Sequence, residues 1–259
     1  MRLLRRPRIA ELARALLRAK EHVLYGGARR ERLLRRLLGA HYTSLFRRDW
    51  QLSSEPPHFF DHRLDAYKLL DGAGGVQPMT RGFLVAELLR PDDIVLDIGC
   101  GDGFFDRAFF ADRCAAVDAI DIEQSAIAHS EAVNAASNVT YRRMDAVAEP
   151  FPRDRYDVVV WDGALGHFAP DTTDMMLAKI ASVLASDGVF VGSESLGTEG
   201  SDHLQWFETL DSLGDRFRRQ FAQVELRELS YTIGGGRERR EAFWRCGASD
   251  ERMRAQDWR

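Results

Sequence analysis

The sequence has only three cysteines, Cys100, Cys114 and Cys246, among 259 residues. Three scattered thiols do not make a disulfide framework, and without a Cys-x-x-Cys pair no structural zinc site is expected. No stretch approaches the ~20 apolar residues that span a bilayer. The N-terminus is basic, but no apolar core with a small-residue cleavage site follows it, which predicts a cytosolic protein. Internal repeats and low-complexity tracts are lacking as well, so the pattern is that of an ordinary globular chain.

Charge, by contrast, is plentiful and uneven. The net charge of −4 hides 14 Lys/Arg against 4 Asp/Glu in residues 1–50, a balance of +10, and −14 over the remainder. Ile9, Leu12, Leu16, Leu17, Val23 and Leu24 recur at helical spacing with arginines between them, and Leu33, Leu34, Leu37 and Leu38 repeat the pattern after Tyr25-Gly26-Gly27. Both stretches read as amphipathic helices. Such an arm can pack its apolar face and leave arginines in water. It can also lie on an anionic membrane surface or contact nucleic-acid phosphates. The few aromatics available for base stacking disfavour nucleic acid.

Residues 51–62 are irregular, a helix is expected over about 63–70, and 71–76 is a glycine-rich loop before a helix at about 80–89. Then strands and helices alternate. Strands are expected at 94–97, 115–121, 139–144, 158–161 and 189–193, and helices at 104–111, 125–136 and 173–184. Continuous apolar strands separated by helices imply a parallel sheet covered on both faces. Residues 222–231 and 241–246, joined across Gly234-Gly235-Gly236, read as an antiparallel pair. The expected fold is α/β: a doubly wound, mostly parallel seven-stranded sheet with an antiparallel C-terminal hairpin and an α-helical N-terminal extension. The expected divisions are a basic extension and lid over 1–76, the α/β domain over 77–247 and a polar tail over 248–259.

The most informative segment is Val95-Leu96-Asp97-Ile98-Gly99-Cys100-Gly101-Asp102-Gly103. A buried strand runs into three alternating glycines and then a helix, so backbone can approach a ligand closely. A dinucleotide fingerprint wants Gly-x-Gly-x-x-Gly, but Phe104 stands where its third glycine belongs. Asp97, just before the loop, suits a cation better than a pyrophosphate.

Asp97-x-Gly99-x-Gly101-x-Gly103 resembles the first motif of class I S-adenosylmethionine-dependent methyltransferases. Asp121 ends the second strand 18 residues past Gly103, where a carboxylate can accept both ribose hydroxyls. The segments Tyr156–Asp162 and Leu184–Val191 resemble the family's fourth strand and its turn into the fifth, and the likeness covers about residues 80–247. The resemblance implies S-adenosylmethionine as cofactor. It implies a site built from Asp97, Gly99, Cys100, Gly101, Gly103, Asp121, Ile122, Asp145, Ala146, Asp162 and Gly163, with Asp145 against the adenine amino group.

Methyl transfer needs an in-line nucleophile, and an oxygen nucleophile benefits from a base. The loop after the fourth strand, Asp162-Gly163-Ala164-Leu165-Gly166-His167-Phe168, lacks the (Asn/Asp)-Pro-Pro-(Tyr/Phe) motif of many base N-methyltransferases, which disfavours amino methylation of nucleobases. A histidine side chain in general can exchange a proton near neutral pH, so His167 can act as the base; the competing reading is a histidine that orders the loop. Pro57-His58-Phe59-Phe60-Asp61-His62-Arg63 reads either as a lid over substrate or as a capped helix start, and its spacing fits no standard metal site. Candidate catalytic residues are therefore His167, Asp162, His58 and His62, with no metal. His203, Trp206 and Phe207 either shape the acceptor pocket or form a helix packing aromatics on the sheet, and Phe243-Trp244 reads as core. The expected activity is O-methylation of a small-molecule or glycan-like acceptor. The alternatives are an RNA or protein methyltransferase using the basic arm, and a non-catalytic cofactor-binding module.

Overall fold

The computed structural model describes residues 76–197, 203–233, 237–249 and 252, with scattered helical positions between 11 and 44. The chain divides into two compact units, Met1–Pro56 and Pro57–Arg259. In the first, the described positions, among them Leu16, Leu33 and Leu37, are helical and exposed. The lid cluster with His58, Asp61 and His62 lies outside the described residues, as does the loop at 234–236.

The second unit opens with helix α1 (Val76–Ala86) and strand β1 (Ile94–Ile98). Strands β2 (Ala116–Asp121), β3 (Val139–Arg143), β4 (Tyr156–Trp161) and β5 (Leu184–Leu196) follow. Between them lie α2 (Gln124–Val133) and α3 (Pro170–Val183). Helix α4 (Leu210–Phe217) leads to β6 (Gln223–Ile233) and β7 (Arg237–Gly247). The seven strands are ordered β3-β2-β1-β4-β5-β7-β6. β1 to β5 are parallel, and β7 pairs antiparallel with both β5 and β6.

Apolar side chains alternate between two cores. Leu96, Ile98, Val159, Trp161 and Phe190 bury on one face with α3 and α4. Val95, Val158, Val160, Val189 and Val191 bury on the other with α1 and residues 104–114. A strand covered on both faces is apolar at every position, which is why these strands read as unbroken runs. Helix α3 begins at Pro170 and buries Thr173, Met176, Leu177 and Ile180, the i, i+3, i+4, i+7 stripe of a half-buried helix. Phe243 and Trp244 are core, and Trp244 packs on Phe190 and Phe217 with centroids 5.7 and 5.0 Å apart.

Two expectations change. The helix anticipated over 104–111 is α-helical only at its start, then passes through a π turn (Asp106–Phe110) into a 3-10 turn (Ala111–Arg113). The alternative of a helix at 203–207 is not what forms. That segment is extended, with Phe207 bridging Leu196, and the helix comes later as α4, capped by the Thr209 side chain accepting from the Ser212 N–H at 3.2 Å. Residues 203–205 leave the helical path because the Leu204 N–H bonds the Gly166 carbonyl at 2.7 Å and the Gln205 side chain bonds the Leu165 carbonyl at 3.1 Å.

Candidate active site at the topological switch point

The chain runs outward from β1 through β2 to β3, then returns to β4 on the other side of β1. In open α/β sheets the crevice at such a reversal, beyond the carboxyl ends of the strands, is where ligands bind. The glycine loop lies there.

The loop is tied to β2, with the Gly99 and Cys100 N–H groups donating to the Ile120 carbonyl at 2.8 and 3.1 Å. Gly99, Gly101 and Gly103 have φ of +75°, +57° and +72°, values that L side chains adopt at a cost of ~1–2 kcal/mol each. Gly103 carries a packing reason too, because a Cβ there would lie 2.5 Å from the Tyr141 hydroxyl. At Gly99 a Cβ would meet nothing closer than 3.8 Å, so this glycine leaves room above the loop, as a cradle for a ligand requires.

Asp121 is buried, and both its oxygens are positioned by backbone: Oδ2 accepts the Gly101 N–H at 3.0 Å and Oδ1 the Glu123 N–H at 2.8 Å. The next side chain, Ile122, is exposed and offers an apolar surface beside the carboxylate. Asp145 stands at the exit of β3 but caps its own turn, its Oδ1 accepting the Val147 and Ala148 N–H groups at 2.9 and 3.2 Å. Ala146 packs against the core. Cys100 lines the crevice with its thiol pushed well up by burial, so it serves as neutral lining.

Asp97 and Asp162 end β1 and follow β4, and Arg81 reaches them from α1. Its Nε pairs with Asp162 Oδ2, while the Ser193 hydroxyl donates to Oδ1 at 2.5 Å. The Gly163 N–H bonds the Ser193 carbonyl at 2.7 Å, which fixes the loop's exit. The guanidinium also stacks 5.0 Å over the Phe105 ring. Close approach of α1 makes this reach possible, since a Cβ at Gly82 would collide with the Phe109 ring at 2.6 Å. Between Arg81, Asp97, Gly99, Phe105 and Asp162 lies a cavity of about 20 Å³, room for a water. Arg81 thus fills this part of the crevice, held against Asp162. Burial raises the Asp97 carboxyl to about 7; the nearby Asp162 and Asp121 raise it further, while Asp106 and Arg81 work against the shift.

His167 ends a 3-10 turn (Leu165–His167) on the loop after β4. Glu194 Oε2 accepts the Gly166 N–H at 2.9 Å, and residues 204–205 bond the same turn from the other side. His203 meets His167 edge to face with centroids 4.7 Å apart. The structure therefore brings Asp97, Gly99, Cys100 and Asp162 around one cavity, ties Asp121 to the glycine loop, and leaves His167 on the turn after β4 and Asp145 on the turn after β3. It adds Arg81, Phe105 and Ser193, which sequence reasoning missed. Among the described residues no group of three or more metal-ligating side chains forms, and no helix is long and apolar enough to cross a membrane.

Sheet order and glycine loop resemble those of class I S-adenosylmethionine-dependent methyltransferases. Residues 95–188 match the family model described as a methyltransferase domain. The fold is shared with the N-methyltransferase NodS of Bradyrhizobium japonicum at 16% identity and a TM-score of 0.53, over 65% of this chain and 96% of that one. A SAM-dependent methyltransferase of Methanosarcina mazei matches at 15% identity and 0.52, over 63% and 96%. The [4+2]-cyclase SpnF matches at 16% identity and 0.52, over 64% and 80%. No curated protein matches the chain.

Proposed function

We propose that the chain is an S-adenosylmethionine-dependent methyltransferase that methylates an oxygen of a small-molecule or glycan-like acceptor. The observation that carries this reading is the carboxylate-rich crevice. Asp97, Asp121 and Asp162 surround a positive-φ glycine loop with Arg81 as counter-charge. A ligand bearing a sulfonium, an ammonium and a carboxylate complements that set: the acids suit its cations and Arg81 its carboxylate.

Bound there, the cofactor supplies an electrophilic methyl group. Asp121 would hold the ribose hydroxyls, Asp97 the cationic amino acid end, and Ile122 would offer its apolar surface to the base. His167 would take the proton of the acceptor hydroxyl as the oxygen–carbon bond forms and the carbon–sulfur bond breaks, leaving S-adenosylhomocysteine, and Asp162 would orient the loop. The clamp on Gly166 supports this role by holding His167 in place, a requirement for near-attack geometry. A fold shared with a cyclase does not set the reaction, so turnover must be measured directly.

Calorimetry with S-adenosylhomocysteine tests the cofactor site. Binding is expected, and Asp121→Ala should weaken it by ~1–3 kcal/mol through loss of a charged acceptor. No measurable affinity for donor or product would end the proposal. Transfer of isotopic methyl to phenolic and sugar hydroxyls, lost in His167→Ala with cofactor affinity retained, tests the acceptor class. Transfer to amines alone would overturn the oxygen assignment.

A further inference from the structure

Asp106 has no part in the reading above, yet it is the most thoroughly buried acid beside the site. Its side chain is fully enclosed, and among the described residues no donor from any other residue reaches either carboxyl oxygen. The π turn carries it inward together with Phe109 and Phe110, beneath the glycine loop. Its interacting neighbour is the carboxyl of Asp97, which is itself buried and lines the crevice with Arg81 and Asp162.

Two ionised carboxylates offer each other only acceptors, and an enclosed anion without a donor is strongly disfavoured. A single proton between them removes one charge and creates an O–H···O⁻ bond, the arrangement adopted when two acids share a site. The surrounding groups favour it. Asp102 on the loop, Asp121 at the end of β2 and Asp162 after β4 add negative charge around the pair, and the Cys100 thiol beside them is neutral. Tyr141 on β3 is neutral, and Arg81 from α1 is the opposing cation. Burial, then Asp97, push the Asp106 carboxyl well above the usual carboxylate range, which makes Asp106 the proton's resting place and Asp97 the acceptor that faces the crevice.

We propose that Asp97 and Asp106 share one proton in the cofactor-free protein, and that arrival of the cofactor's ammonium group at Asp97 expels it, so that cofactor uptake releases a proton. The second half rests on the methyltransferase reading. The step balances: a pair of charge −1 and a cation of charge +1 become a pair of charge −2, the bound cation and a proton passed to buffer. Asp106 is then a positioning residue. It touches no substrate but keeps Asp97 in place while Arg81 fills this part of the crevice, and it supplies the second negative charge once the ligand's cation is there.

The first experiment needs no ligand. The infrared carbonyl stretch of a protonated carboxyl group should be present in the full chain at pH 8, shift in frequency in Asp97→Asn, where burial keeps Asp106 protonated, and vanish in Asp106→Asn. Its absence from the parent protein overturns the shared proton. The second is calorimetry of S-adenosylhomocysteine at pH 8 in buffers of different ionisation enthalpy. The parent should release about one-half to one proton per ligand bound, as linkage requires of a group that loses its proton on binding. Asp106→Asn, whose amide donates to Asp97 without a titrating proton, should bind with release near zero and with affinity independent of pH between about 6 and 8. Binding without proton release by the parent, or unchanged release in Asp106→Asn, overturns the coupling. The infrared band with no binding of S-adenosylhomocysteine keeps the pair and refutes the methyltransferase reading together with the coupling.

Discussion

Gly103→Ala tests how the glycine loop is held. The substitution places a Cβ on a backbone with φ of +72°, a conformation that costs an L residue ~1–2 kcal/mol. The same Cβ would lie 2.5 Å from the Tyr141 hydroxyl oxygen and 2.7 Å from Cε1 and Cζ of its ring. That ring is buried, and its hydroxyl donates to the Asn134 carbonyl at 3.0 Å and lies 3.3 Å from the Gly103 carbonyl, so it cannot move without losing contacts. Overpacking of this kind costs ~1–3 kcal/mol. The two effects together predict a loss of ~2–5 kcal/mol in urea unfolding followed by circular dichroism. They separate in a double-mutant cycle. Tyr141→Ala opens a cavity at a cost of ~3–5 kcal/mol; in that background Gly103→Ala should cost only the conformational ~1–2 kcal/mol. An equal cost in both backgrounds would refute the steric half of the reasoning, and a loss under ~0.5 kcal/mol in the parent would refute all of it.

Three further outcomes are expected. Arg252→Ala removes the partner of buried Asp93 and a donor to the Leu88 carbonyl at 2.9 Å, and should destabilise by ~3–5 kcal/mol in the same assay; a loss below ~1 kcal/mol would show the pair to be idle. Asp97 binds its proton more tightly folded, at about 7 against an ordinary 3.8, so its stabilising contribution is full below the ordinary value and is lost as pH rises through 7. Asp97→Asn should therefore match the ligand-free parent near pH 4 and exceed it most at pH 8, by on the order of a few kcal/mol; a constant difference across that range would count against the shift. Arg81→Ala should weaken S-adenosylhomocysteine by ~1–3 kcal/mol and leave methylthioadenosine, which lacks the amino acid, unaffected; tighter binding of both would mean that Arg81 only obstructs the crevice.

Much of this architecture was legible because its signals are local. Each buried parallel strand is an apolar run, and the loop announces itself by three glycines within five residues whose positive φ values few other residues tolerate. Asp121 was legible from its place at a strand end. Arg81 was not, because its ion pair bridges 81 residues of sequence and nothing in Val76–Ala86 distinguishes it from a surface arginine. Arg252 is similar, meeting Asp93 across 159 residues. The π turn was hidden because Asp106, Phe109 and Phe110 fit an α-helical stripe equally well. Helix α4 could have been found: Thr209 is a good cap, and Leu210, Leu213 and Phe217 keep helical spacing. Strand β5 was read short because Ser193, Glu194 and Ser195 break its apolar run, although all three are buried and paired with β7.

Those polar residues and the carboxylates share one cause. A sheet interior would be more stable with apolar groups where Asp97, Asp106 and Asp162 stand, since buried charges rarely repay their desolvation. Packing alone gives no reason for them, although Ser193 and Arg81 bond Asp162. Elsewhere most of the strand interior is apolar, with Val95, Leu96, Val158, Val159 and Phe190 fully enclosed, and the buried charges Asp118 on β2 and Glu241 and Arg245 on β7 are paired with Arg153, Arg239 and Glu225. Buried acids gather at the carboxyl ends of β1, β2, β4 and β5 and on the turn after the glycine loop, where local rules yield to function. An excess of acid at a crevice filled by one guanidinium is an unfavourable arrangement that a cationic ligand relieves, and its strength as evidence for such a ligand grows with how well the rest of the sheet is packed.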